Sequence, residues 1–219
     1  MATKKTKPET ALVLRCCNAD MSSKNGFVWP GVGGIATARD WKDDGECGSG
    51  LHGWLYGQGD HGTSDYWSYA DAKWLVVEVV FSEIRMLGGK CKFQSGKVVF
   101  VGAKSEAAAY IVANEPQAAN VAVIGLIKQV GELAAVSVGA LGTATAGDSG
   151  TATAGDRGTA TAGDNGTATA GYRGTLCIKH WDSKNDRYRT VIGYVGEDGI
   201  KPNTAYRLDA NNKLTEVTP

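Results

Sequence analysis

From Thr143 the chain alternates polar and apolar residues over four positions, breaks, and starts again every eight residues. The units read TATAGDSG, TATAGDRG, TATAGDNG and TATAGYRG, identical except at the sixth and seventh positions. Strict alternation describes a strand with two chemically different faces. The flanking units say which face is inside. Residues 135–142 read AVSVGALG, and TLCI begins at Thr175. Val136, Val138, Leu176 and Ile178 therefore stand where the perfect units have alanine. Those positions point into a core, and the threonines point to water. Gly-x-x-Gly supplies the bend, with glycine expected to take positive φ. A four-residue strand and a four-residue corner make half a coil. Two octads then complete one coil, and coils stack at about 4.8 Å. Gly125 and Gly131 continue degenerate units back to about Val121. The corners fall on two edges: Asp148-Ser149 and Asp164-Asn165 on one, Asp156-Arg157 and Tyr172-Arg173 on the other.

Outside the repeats the pattern changes. Ala11 to Cys16 reads as a strand, Trp74 to Phe81 (WLVVEVVF) as a buried strand, and Gly96 to Val101 as another. Ser105 is placed to cap a short helix running to Val112, with Asn114 and Pro116 ending it. A helix is also expected near Tyr66 to Lys73. After the repeats, strands near Arg187–Val195 and Tyr206–Leu208 are separated by Gly-Glu-Asp-Gly. The expected fold is mostly β: an α+β N-terminal domain over residues 1–120, a short two-sheet β-solenoid of eight-residue half-coils over 121–178, and a small C-terminal β cap over 179–219. The cap covers an end of the solenoid that would otherwise offer open strand edges.

Composition narrows the function. The 23 basic and 23 acidic residues balance, so the chain lacks the charge excess of a protein that binds nucleic acid by counterion release. Lys4, Lys5 and Lys7 form one short basic cluster, read as a solvated tail. Glycine is high at 30 and proline low at 5, which favours tight turns over disorder. No apolar run is long enough for a membrane span, and no signal peptide is read at the N-terminus. Five cysteines, an odd number with Cys16 and Cys17 adjacent, suggest reduced thiols and a cytoplasmic protein.

The polar stretch from Glu46 to Trp67 holds the densest candidate chemistry. Cys47, His52 and His61 do not match a standard zinc spacing, so neither a metal nor a cofactor is expected. The corner aspartates Asp148 and Asp164 lack the paired motif of calcium-binding rolls and read as a solvated edge. Trp41, Trp54 and Trp67, with His52 and His61, lie in a glycine-rich region of the kind that lines pockets. Arg157 and Arg173 beside Tyr172 are a second candidate, able to grip an anionic ligand or partner.

Three resemblances follow from these residues. Gly50-Leu51-His52-Gly53, then the expected helix carrying Tyr69 and Ala70, then WLVVEV, resembles the core of ADP-ribosyltransferase-like folds. That resemblance implies NAD handling and makes Arg15, His52 and Glu78 the positions to test for catalysis. The whole chain resembles a group of phage and prophage proteins that join such an N-terminal domain to octad repeats and a β cap, here including Lys201 to Tyr206. The Thr-x-Thr arrays from Thr143 to Thr169 resemble ice-binding solenoids. The leading expectation is a non-enzymatic phage-type binding protein of the host cytoplasm. It would counter host defence by holding a host protein or a small anionic, nucleotide-like ligand. The solenoid would serve as a rigid spacer or homo-oligomer surface. An ADP-ribosyltransferase-like enzyme and an ice-binding threonine array are the alternatives.

Overall fold

The computed structural model describes residues 8–218, so the basic cluster at Lys4, Lys5 and Lys7 lies outside the described residues. The chain divides into two compact units, residues 1–120 and 121–219. The protein is mostly β, with the solenoid in the second unit.

The first unit is built on β1 (Thr10–Cys17), β2 (Ile35–Thr37), β3 (Leu51–Leu55), β4 (Lys73–Val80), β5 (Arg85–Leu87), β6 (Lys90–Phe93) and β7 (Ser95–Gly102). They form one antiparallel sheet in the order β2-β7-β4-β1-β3-β6-β5. β1 and β4 are apolar runs, LVLRCC and WLVVEVV, because they lie at the centre and are covered on both faces. Val13, Leu75, Val77 and Phe93 pack into one buried cluster with Trp29. Helix α1 (Lys104–Asn114) buries Ala107, Ala108 and Ile111. It starts one residue before Ser105, and the Glu106 carboxylate rather than that hydroxyl receives the first free backbone N–H, from Ala103 at 2.8 Å. The helix expected at Tyr66 to Lys73 is absent. A single 3-10 turn, Tyr66–Ser68, is followed by β4 from Lys73. Tyr66 and Tyr69 there make an edge contact at 5.9 Å.

In the second unit the octads form β8 (Ile127–Gln129), β9 (Ala135–Val138), β10 (Thr143–Thr145), β11 (Thr151–Ala154), β12 (Thr159–Ala162), β13 (Thr167–Ala170) and the start of β14 (Thr175–Asp182). Consecutive octads go to opposite sheets. One sheet stacks β8, β10, β12 and β14 in parallel, the other β9, β11 and β13. Each coil is in register with the next: Ala144 pairs with Ala160 and Ala160 with Leu176, while Ala152 pairs with Ala168. The inward columns are almost wholly shielded, Ala160 and Ala168 at 0 % exposure and Val136 at 5 %.

The corners depart from expectation in an informative way. The left-handed residue is the seventh of each unit, with Ser149, Arg157, Asn165 and Arg173 at φ of 53, 55, 56 and 55°. Its N–H then points along the stack, Ser149 donating to Asp164 O at 2.7 Å and Arg157 to Tyr172 O at 2.8 Å. The flanking glycines are needed for space instead. A methyl at Gly147 would stand 2.7 Å from Glu132 N and 2.8 Å from Gly131 C, because one corner lies directly on the next. Nor is Asp148 idle at a solvated edge, and Asp156 on the opposite edge behaves alike. Asp148 Oδ1 accepts from Asp164 N, and Asp156 Oδ1 from Tyr172 N, both at 2.9 Å. The side chain of one coil thus holds the backbone of the coil after it.

Three antiparallel strands finish the stack. β15 (Arg187–Tyr194) pairs with β14, β16 (Thr204–Leu208) with β13, and β17 (Leu214–Glu216) with β16. Tyr206 is buried against this end, its hydroxyl accepting from Lys201 N at 2.8 Å. A parallel stack terminated by antiparallel strands no longer presents the same edge to another copy.

Candidate functional site

Two surfaces carry chemistry, one in each unit. On the solenoid the outward columns of one sheet are Thr143, Thr159 and Thr175 beside Thr145, Thr161 and Cys177. On the other sheet they are Thr151 and Thr167 beside Thr153 and Thr169, continued by Ala135 and Ser137. Parallel in-register pairing fixes the grid at about 4.8 Å between coils and about 6.6 Å along each strand. Threonine is stiff at χ1, so hydroxyls and methyls hold their places with little entropy to lose. The two faces differ. The β10–β12–β14 face ends on Cys177 and is bordered by the exposed Ile127, Ile192 and Tyr194, whereas the β11–β13 face is bordered by Ala135 and Ser137 on one side and by Ala205 and the exposed Arg207 on the other.

In the first unit a cleft of about 250 Å³ is lined by Arg15, Trp29, His52 and Tyr66 at its floor and by Lys24, Asp65 and Lys90 toward its rim. Arg15 and His52 thus come together: Arg15 Nη1 donates to the His52 carbonyl at 3.2 Å. Burial, reinforced by Lys90, Arg15 and Lys92, pushes the His52 imidazole down to about 4, so it is neutral at pH 7. Glu78 does not join them. It lies in β4 opposite Leu12, accepts from Thr10 Oγ1 at 3.2 Å, and is absent from the cleft lining. Leu12 and Arg15 are an odd number of residues apart in one strand, so Arg15 and Glu78 leave the sheet on opposite faces. A catalytic trio of Arg15, His52 and Glu78 cannot assemble.

The remaining candidates are dispersed. Trp54, 1 % exposed, stacks on Trp74 at 5.8 Å and is part of the core. Trp41 lies over the fully buried Lys92 ammonium at 5.5 Å, which also pairs with Asp44. Those contacts hold the 40–50 loop. His61 is buried against the edge of Trp67 at 4.8 Å. Arg157, Tyr172 and Arg173 are exposed on one solenoid edge, where Arg157 and Tyr172 are joined through their backbones. All five cysteines are free, and burial raises the thiols of Cys17 and Cys91 to about 11 and about 12. Among the described residues no three metal-ligating side chains cluster, and no helix is long and apolar enough to cross a membrane. What sequence reasoning missed in the cleft is Trp29 and Tyr66, and beside it Ser23, which accepts from Arg15 Nη2. The available signal was Arg15 itself, a charge inside an otherwise apolar strand.

The architecture is that of a threonine-faced β-solenoid following a separate α+β unit. Residues 11–113 match a family described as a domain of unknown function, DUF7666. The chain is similar to an ice nucleation protein of Xanthomonas campestris pv. translucens, 38 % identical over 110 residues, which are 49 % of this chain and 7 % of that protein. It is similar to one of Pseudomonas fluorescens, 37 % identical over 110 residues, covering 49 % and 9 %. It is also similar to the ice nucleation protein InaU of Pantoea ananas, 33 % identical over 108 residues, covering 48 % and 10 %. The chain thus spans a tenth or less of the length of these relatives. No solved structure matches it significantly.

These matches correct the leading expectation. The relatives are bacterial proteins named for ice nucleation, and nothing among them carries a phage origin, host-defence counteraction or an ADP-ribosyltransferase-like resemblance. The expectation of a host-cytoplasmic protein falls with it, since it rested on that viral reading and on unpaired cysteines.

Proposed function

We propose that the solenoid is an ice-interacting surface, with the β11–β13 face as its cleaner half. The observation that carries this reading is the in-register array of Thr151, Thr153, Thr167 and Thr169, each column one coil apart. A flat grid of alternating methyl and hydroxyl groups holds water at fixed spacings, and ordered water is what an ice surface requires. The apolar methyls leave first-layer waters to bond among themselves, while the hydroxyls anchor them. The ice nucleation proteins to which the chain is similar support the same reading. With two Thr-x-Thr rungs on this face, one copy offers a small area, and side-by-side homo-oligomers would enlarge it.

The test is ice-recrystallisation inhibition and droplet freezing with the full chain. Wild type should slow grain growth or raise the freezing temperature relative to buffer. Thr153→Lys with Thr169→Lys should remove most of that effect without unfolding the solenoid, since both positions face water. A corner change, Asn165→Lys, should leave it intact. Wild-type protein indistinguishable from buffer in both assays would end this reading.

A further inference from the structure

We propose that the cleft over Arg15 in the N-terminal unit binds a small oxyanion, a carboxylate or a phosphate, with the guanidinium as its receptor. Arg15 projects from β1, and its plane is held by the rings of Trp29 and Tyr66, whose centroids lie 5.7 and 6.0 Å from Cζ. A guanidinium has five N–H donors. Here Nη1 donates to the His52 carbonyl at 3.2 Å and Nη2 to Ser23 Oγ at 3.4 Å, both long bonds to neutral oxygens. Nε is shielded from solvent and donates to no acceptor among the described residues. Each Nη keeps a second hydrogen, and the cleft is the space these can reach.

The charge is also uncompensated. Among the described residues no ion pair includes Arg15. Asp65, the carboxylate whose charge acts on it, is already bound to Lys24 Nζ at 2.5 Å. Desolvation lowers the Arg15 pKa, the mark of a cation held without a counter-charge. Burying a charge unpaired is costly, and proteins retain such an arrangement where a ligand completes it. The lining adds Lys24 and Lys90 against Asp40 and Asp65, so the cleft remains net cationic. His52 contributes a second solvent-shielded nitrogen, Nε2, without a partner among the described residues. At about 250 Å³ the space falls just below the range of drug-sized pockets, about 300–1,000 Å³, and suits a compact ligand. A two-oxygen anion lying end-on across Nη1 and Nη2 gives the bidentate geometry that arginine favours over lysine.

The test uses ¹⁵N-labelled full chain and the Arg15 Nε–H resonance, assigned by its loss in Arg15→Lys. Inorganic phosphate and acetate are titrated separately against sodium chloride at matched ionic strength. One of the two should shift the resonance saturably, and which one does identifies the source of the oxyanion. Arg15→Lys, followed through the backbone amides of Ser23 and His52, should bind at least tenfold more weakly. If that variant does not fold, Lys90→Ala takes its place and should weaken binding two- to fivefold. Shifts that are linear and no larger than those with chloride overturn the proposal. So does unchanged affinity in Arg15→Lys or, where that variant is unfolded, in Lys90→Ala.

Discussion

Gly163→Ala tests the stacking of corners, on which the flatness of both threonine faces depends. Gly163 lies outside the left-handed region, so the substitution carries no dihedral penalty and its cost is contact alone. The new methyl would overlap Asp148 Oδ1 and stand 2.5 Å from Asp148 N and 2.6 Å from Gly147 C. Two of those three atoms are backbone and cannot turn aside. Overpacking of this kind costs about 1–3 kcal/mol. Displacing the Asp148 carboxylate also breaks its bond from Asp164 N, another ~1–3 kcal/mol for a hydrogen bond to a charged group. The sum is about 2–6 kcal/mol, and a urea titration followed by exchange of the Asp164 amide reads it. In an Asp148→Ala background the hydrogen-bond part disappears, but the backbone overlap remains, so Gly163→Ala should still cost about 1–3 kcal/mol there. A penalty under about 0.5 kcal/mol in the wild-type background would refute the close stacking, since such an overlap cannot be relieved that cheaply.

Two further outcomes are expected. His52 has its folded pKa at about 4 against an ordinary 6.5, so the unfolded chain takes up a proton first on acidification. The stability it contributes is complete above about pH 6.5 and is lost as pH falls toward 4. The loss is at most about 2 kcal/mol after discounting solvent at the cleft mouth, and His52→Gln should remove that slope from denaturation curves of the N-terminal unit. Separately, inserting two octads of sequence TATAGDSGTATAGDRG after Gly158 should add one coil, and with it one Thr-x-Thr rung to each sheet. Stability should rise by a constant increment per coil, measured by urea midpoint, and ice activity should rise with rung number. Added coils that leave ice activity unchanged would separate the threonine grid from that function.

The solenoid was legible because its constraint is repeated. Alternation fixed the strands, and Val136, Val138, Leu176 and Ile178 revealed the inward face. What alternation could not show is how a corner is divided among its four residues. The choice of the seventh position for the left-handed turn depends on a hydrogen bond to the neighbouring coil, and the glycines answer to a backbone sixteen residues away. In the first unit β1, β4 and β7 were visible as apolar runs. The short strands β2, β5 and β6 were not, since three or four residues carry too little pattern and are strands only through pairing with their neighbours. The aromatic stretch was read as one pocket. In the structure its tryptophans divide between core packing at Trp54 and a lysine platform at Trp41, a distinction set by contacts with Trp74 and Lys92.

The alanine interior ties stability to surface geometry. Larger inward residues would bury more area but demand staggered packing between the sheets, and staggered packing bends strands. Alanine is the side chain that lets every coil repeat the one below, so the outward threonines stay in a plane. The cost is a thin core, offset by bonds running along the stack: strand ladders, the seventh-position N–H, and the Asp148 and Asp156 carboxylates. Bulky residues are then needed only where repetition stops, and Val136, Leu176, Ile178 and Tyr206 are buried there. The same trade explains why Gly recurs throughout and Asp holds the sixth position until Tyr172 replaces it in the fourth unit, while the seventh varies among Ser, Arg and Asn. Asp148 and Asp156 touch the next coil through a side-chain oxygen and the glycines through a missing methyl, whereas the contact that Ser149 and Arg157 share at the seventh position is the backbone N–H.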